Sequence, residues 1–264
     1  MQWQRGVRAG SFALAVPVVI ALRNAASVVW RPDPDGAVTL ALDALATAAL
    51  FALLALAGAA LSRDALPVRL GLRRGRFDAR TIAIAAFGLL GLSHAVDGLL
   101  TLLGFPVSAS LARLAATLSA ATPAQLALAL AALALGSASA EELFFRGFLQ
   151  RGLERVLGAA GAIAVATLAF GAAHGDPVHA IATLPLGVYL GVLVWRDGSL
   201  RPALVAHVVN NAFAVVEAAN DDRLPESGPL ALATVVLGLT IAAVSLRTVL
   251  RGSSPPTPVT TPPA

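Results

Sequence analysis

The sequence predicts an all-α protein, a polytopic bundle of about eight transmembrane helices with both termini in the cytoplasm. Three observations carry this. Hydrophobic residues make up 57% of the 264 and charged residues only 13%, with a mean hydropathy of +0.78. A soluble domain carries about 25% charge. The excess lies in apolar blocks close to the ~20 residues a helix needs to cross a bilayer. The arginines lie mostly between the blocks and on alternating sides.

The spans expected are Gly10–Trp30, Ala37–Leu61, Thr81–Gly104, Pro123–Gln150, Ala159–Ala173, Val178–Trp195, Pro202–Ala218 and Pro229–Val249. Ala159–Ala173 is short and is the one that can merge with its flanks. Gly10–Trp30 contains Pro17 and Arg23, and is too long for a signal peptide. With the N-terminus inside, fourteen of nineteen arginines fall on the cytoplasmic side. Arg31, Arg113 and Arg223 fall outside, and Arg23 and Arg146 lie within spans. That bias follows the positive-inside rule.

Val107–Ala121 is apolar but broken by Arg113 and serines, and reads as a short interfacial or re-entrant helix. Thr122-Pro123-Ala124-Gln125 spells a capping box with proline in the first turn. Residues 1–252 are expected to form one transmembrane domain, with 253–264 a disordered Pro/Thr-rich tail. Asn220–Gly228 reads as a polar loop.

Composition also excludes functions. The net charge of +4 comes from scattered arginine with no lysine, so nucleic acid is not an expected partner. The absence of cysteine removes disulfides and thiolate metal sites. Arginine without lysine in an alanine-rich chain points to a GC-rich bacterial genome, and so to the inner (plasma) membrane. Membrane lipids are the expected surroundings, and oligomeric state is not encoded legibly.

Ionisable residues inside spans are functional candidates by default, because burying them in hydrocarbon is costly. Glu142 and Arg146 are four apart on one helix face and suit an ion pair. Glu141 points about 100° away from Glu142. It is either a free carboxylate with a raised pKa, suited to general base work, or a group that caps or pairs elsewhere. His207 and Asn211 also share a face. They suit a developing oxyanion, or a plain helix–helix hydrogen bond. His174 ends a short span, and His179 is expected to face the outer loop. Glu141 lies about 15 Å and His207 about 9 Å from the cytoplasmic ends of their helices, which fits a site below that face. His174, about 24 Å along its helix, fits this least well. Asp43, His94 and Asp97 form a looser set. His94 and Asp97 can bond each other, and Asp43 can pair with Arg23.

Glu-Glu-x-x-x-Arg at 141–146, Phe-x-x-x-His at 170–174 and His-x-x-x-Asn at 207–211 occur in that order on apolar helices. Together with Arg146-Gly147-Phe148-Leu149 they resemble the CPBP family over about residues 123–218. These are the CAAX-processing and bacteriocin-processing intramembrane proteases, also called Abi, which include the Ras-converting CAAX endopeptidase. The resemblance implies an intramembrane endopeptidase acting on membrane-associated or CAAX-type substrates. It makes Glu141 the general base, with His174 positioning the water. Glu142 and Arg146 would hold the site, and His207 and Asn211 would stabilise the oxyanion. No cofactor is favoured; the metal alternative is zinc on Glu141, His174 and His207. Two other readings compete. One is a non-enzymatic protein of the same fold, an immunity factor or scaffold. The other is a small proton-coupled transporter using Asp43, His94, Asp97 and Glu141.

Overall fold

A computed structural model describes residues 36–62, 64–220 and 228–251, and every regular element among them is helical. The first expected span with Arg23, the Asn220–Gly228 loop apart from its two end residues, and the Ser253–Ala264 tail lie outside the described residues. Six helical runs are long and apolar enough to cross a membrane.

Helix α1 covers Ala37–Ala60, and a four-residue turn, α2, covers Leu66–Arg69. Helix α3 covers Ala79–Leu102 behind Asp78, whose carboxylate accepts from Thr81 N–H. That side-chain bond holds the Asp78 carboxyl below its usual pKa. Helix α4, Ala109–Ser119, is capped by Ser108 and has eleven residues, too few to span. It is the short helix expected from Val107–Ala121.

A helical run then extends from Pro123 to Ala173, 51 residues. It opens on the expected capping box, in which Thr122 Oγ1 accepts from Gln125 N–H and Gln125 Oε1 from Thr122 N–H. It breaks at Gly158, whose φ of 69° and ψ of 175° leave the helical region. Positive φ is disfavoured for any residue with a Cβ, so glycine supplies the corner. The limb before it (123–157) is α5 and the limb after it (159–173) is α6. The short expected span Ala159–Ala173 is therefore a separate limb that starts at a one-residue turn. Within α5, Leu130–Ser137 and Glu142–Gln150 are wound as π-helix, on either side of an α-helical turn at Ala138–Glu141. Such wide turns are rare and concentrate at functional sites.

Helices α7 (Pro177–Asp197), α8 (Arg201–Asn220) and α9 (Gly228–Arg251) complete the bundle. Close helix contacts rest on small residues, as in other membrane bundles. A Cβ at Gly238 would stand 2.3 Å from the Gly91 carbonyl, so α3 and α9 meet at backbone distance. Phe51, Phe144, Phe145, Phe148 and Phe170 pack ring on ring, with centroids 5.0–5.8 Å apart, between α1, α5 and α6. Large apolar residues such as Leu53, Leu168 and Leu237 remain more than 60% exposed. A contiguous apolar exterior on membrane-length helices is a surface for lipid.

One end of the bundle is tied by arginines. Arg69 donates to the Gly147 and Phe148 carbonyls at 3.2 and 3.0 Å. Arg151 donates to the carbonyls of Val68 and Gly198, both at 3.2 Å. Arg155 pairs with Asp64, Arg76 donates to the Arg196 carbonyl, and Arg196 donates to that of Leu250. Burial holds the Arg69 guanidinium below its usual pKa.

Candidate active site

Two rungs about one turn apart join α5, α6 and α7, and a third, one turn further on, joins α6 and α7. Gln150 donates to the Gly191 carbonyl at 3.1 Å, with Ile163 opposite. Arg146 donates to the Gly187 carbonyl at 3.2 Å, with Thr167 opposite. Glycine is required on α7 here. A Cβ would lie 2.9 Å from Thr167 at position 187 and 2.9 Å from Ile163 at position 191. The third rung sets Gly171 against Ala180, Thr183 and Leu184. Arg146 also lies over the Phe170 ring at 4.4 Å, a cation–π contact in a dry setting.

The Glu142–Arg146 pair expected from the sequence is present, at 2.9 Å with both side chains fully buried. The same carboxylate oxygen, Oε1, receives His207 Nδ1 at 2.8 Å. A carboxylate held by Arg146 accepts only, so Nδ1 carries the hydrogen of this bond. Nε2 points to Glu141, 3.7 Å from its Oε2. His207 therefore bridges the two glutamates, a role the sequence did not disclose.

Glu141 keeps 15% of its side chain exposed, whereas Glu142 keeps none. Glu141 is not bare: its Oε1 accepts from Ser137 Oγ at 2.9 Å. The sequence reading passed over Ser137, although it stands four residues back on the face of Glu141. Asn211 donates to the Leu133 carbonyl at 3.3 Å, which makes it a helix–helix tie to the π-helical segment of α5. One amide hydrogen suffices for that bond and the second stays available. His174 donates from Nδ1 to the Phe170 carbonyl at 2.9 Å. His174 and His207 stand edge-on to the same Phe170 ring, at 4.9 and 5.8 Å.

The helix depths read from the sequence are compatible with a site below the cytoplasmic face. Toward the Arg151 end of α5, Glu142, Phe145, Arg146, Phe148, Leu149 and Gln150 are all buried. His179, expected to face the outer loop, has its ring 4.4 Å from that of His174. Its Nδ1 is 3.2 Å from Ser110 Oγ on α4. Asp176 caps α7 by accepting from Val178 and His179 N–H, both at 3.0 Å, and also takes Ser110 N–H. These bonds, the His179 amide foremost, pull the Asp176 carboxyl down to about 2.

The looser set is arranged otherwise than expected. His94 pairs with Glu217 of α8 at 3.4 Å rather than with Asp97. Glu217 was missed although it is an ionisable residue within an expected span. Asp43 is exposed on α1, and its suggested partner Arg23 lies outside the described residues. For zinc, Glu141, His174 and His207 do not form a ligand set as they stand: among the described residues, no three His, Asp or Glu side chains are gathered to hold a metal ion.

The chain thus sets paired glutamates and a histidine inside a bundle of helices long and apolar enough to cross a membrane. Residues 123–213 match the family described as Type II CAAX prenyl endopeptidase Rce1-like. That stretch holds all three motifs that resemble the CPBP proteases. No curated protein and no solved structure matches the chain.

Proposed function

We propose that the protein is a glutamate-dependent intramembrane endopeptidase. The observation that carries this is the Glu141–His207–Glu142–Arg146 chain, with one carboxylate locked and the other reachable. Glu142, neutralised by Arg146, fixes the His207 ring and its tautomer. Glu141 then takes a proton from a water molecule, whose oxygen attacks the scissile carbonyl carbon. The oxyanion gathers charge beside His207 Nε2 and the second Asn211 N–H. His207 supplies a hydrogen there from its protonated ring. As the C–N bond breaks, Glu141 returns its proton to the departing amine. The products are a carboxylic acid and an amine, and Glu141 is regenerated. His174, oriented by the Phe170 carbonyl, helps to position that water.

No step here passes through a metal. The protein's place would be the plasma membrane, and its substrates peptides anchored in that membrane. The test is cleavage of a membrane-peptide library by purified protein in detergent, wild type beside Glu141→Gln, with and without a chelator. Cleavage by wild type alone, indifferent to chelator, is the expected result. Equal cleavage by Glu141→Gln, or loss of cleavage with chelator, sinks the mechanism.

A further inference from the structure

Resting on that catalytic reading, we propose that Ser137 is a positioning residue for the general base. It holds one oxygen of Glu141, Oε1, and so assigns the proton to the other, Oε2. Ser137 stands outside all three sequence motifs, and three observations give it this part.

The first is the direction of its hydroxyl. A serine or threonine inside a helix commonly turns its hydroxyl back to a carbonyl three or four residues earlier. Thr47, Thr101, Thr234, Thr240 and Thr248 all do so, each donating to the carbonyl four back at 2.7–3.0 Å. Ser137 instead donates forward, to Glu141 Oε1 at 2.9 Å. The second is what occupies its usual acceptor. The carbonyl four residues before Ser137 is that of Leu133, and it accepts from Asn211 Nδ2 at 3.3 Å. Leu133 and Ser137 both belong to the π-helical segment Leu130–Ser137. That segment therefore serves the site twice, tying Asn211 through Leu133 and Glu141 through Ser137.

The third is the inequality of the two carboxylate oxygens. The terminal torsion of a glutamate is broad and roughly two-fold, so a carboxylate left to itself offers either oxygen. Here Oε1 is taken by Ser137, while Oε2 stands 3.7 Å from His207 Nε2, beyond hydrogen-bond distance. Oε2 is thus the oxygen on the side of the histidine beside which the oxyanion forms. In the reaction Oε2 takes a proton from the attacking water and later returns it to the departing amine. The Ser137 hydrogen stays on Oγ and bonds Oε1 throughout. Ser137 acts only through Glu141, by fixing the base before the water arrives, and such preorganisation is what makes a polar site effective.

The test compares Ser137→Ala and Ser137→Thr with wild type in detergent, on a library peptide that wild type cleaves. Alanine removes the hydroxyl and suits a helix, so the thermal midpoint should stay close to wild type. The expected kcat is about tenfold lower, the scale of losing a hydrogen bond to a charged group, with KM unchanged. Ser137→Thr keeps the hydroxyl and should restore most of the rate. A wild-type kcat in Ser137→Ala, a change confined to KM, or a Ser137→Thr variant as slow as Ser137→Ala overturns the proposal. A second measurement needs no cleavage. The infrared difference between wild type and Ser137→Ala should show a shifted carboxyl or carboxylate stretch, and the same difference in a Glu141→Gln background should lack it. An unmoved band overturns the contact itself. Failure of the catalytic reading shows separately, as full cleavage by Glu141→Gln with the infrared shift still present.

Discussion

Two clusters of ionisable side chains within the bundle each join a histidine to a glutamate, and their surroundings make them opposites. Glu142, Arg146 and His207 are buried, joined by bonds of 2.8 and 2.9 Å, and braced on the Gly187 carbonyl. His94 and Glu217 meet at 3.4 Å with 29% and 41% of their side chains exposed, and Asp97 is within electrostatic reach of both. In the first cluster each charge has exchanged water for fixed partners. That is costly unless every partner is in place, and it is what holds a reactive geometry still. In the second the one ion pair is longer and its side chains are only partly buried, so it is held less firmly. Burial and partner number, more than the presence of acids and histidines in spans, separate the two clusters.

Substitutions can break this contrast. The largest effect is expected on rate. Glu141→Gln should lower peptide cleavage by about 10²–10⁴-fold, as loss of a general base does, with a thermal midpoint in detergent close to wild type. A shift in midpoint as large as the loss of rate would show Glu141 to be structural. Next comes Glu142→Leu, which strands Arg146 in a dry site and should cost about 3–5 kcal/mol of stability. The double change Glu142→Leu with Arg146→Met should recover much of that stability and no cleavage, because the apolar pair repacks while His207 loses its anchor. Recovery of both would show that the pair serves the fold alone.

Gly187→Val tests the rung itself. Its added atoms press on Thr167, an overpacking expected to cost about 1–3 kcal/mol, and unfolding in denaturant reads it. The contrasting cluster should barely respond. His94→Leu is expected to change stability by no more than ~1 kcal/mol and to leave the cleavage rate alone. A large loss of activity there would return the proton-coupled reading to contention.

The smallest effect is set by pH. Asp176 has a folded pKa near 2, below the ordinary value of about 3.9. Its contribution to stability is therefore complete above the ordinary value and is lost as pH falls toward 2. The thermal midpoint should decline over that window, and decline less in Asp176→Asn.

Much of this was legible in the sequence, for identifiable reasons. Hydropathy and arginine bias report a solvent preference that acts along the whole chain, so the span positions of α1, α3 and α7–α9 emerged within a few residues. The Glu142–Arg146 pair and the Thr122 capping box are local, set by helical spacing alone. The bridge by His207 was not legible, because it depends on how α8 turns against α5, 65 residues away in sequence. The partnership of His94 with Glu217 was hidden for the same reason. The π-helical turns are carried by no periodicity in the apolar pattern. The burial of Phe145, Phe148 and Leu149 depends on their meeting other helices, which depth along a single helix does not report.

The i,i+4 spacing of Glu142 and Arg146 also bears on how the chain is made. Arg146 reaches the Gly187 carbonyl 41 residues ahead, and Glu142 meets His207 65 residues ahead. During synthesis α5 leaves the ribosome before either partner exists. Because the two opposite charges already touch on one helix, the segment can enter the bilayer as a neutral dipole instead of two separate ions. The later helices then close around it one by one, α7 before α8. The pair would thus serve as the passport of α5 into the membrane before it serves the finished bundle.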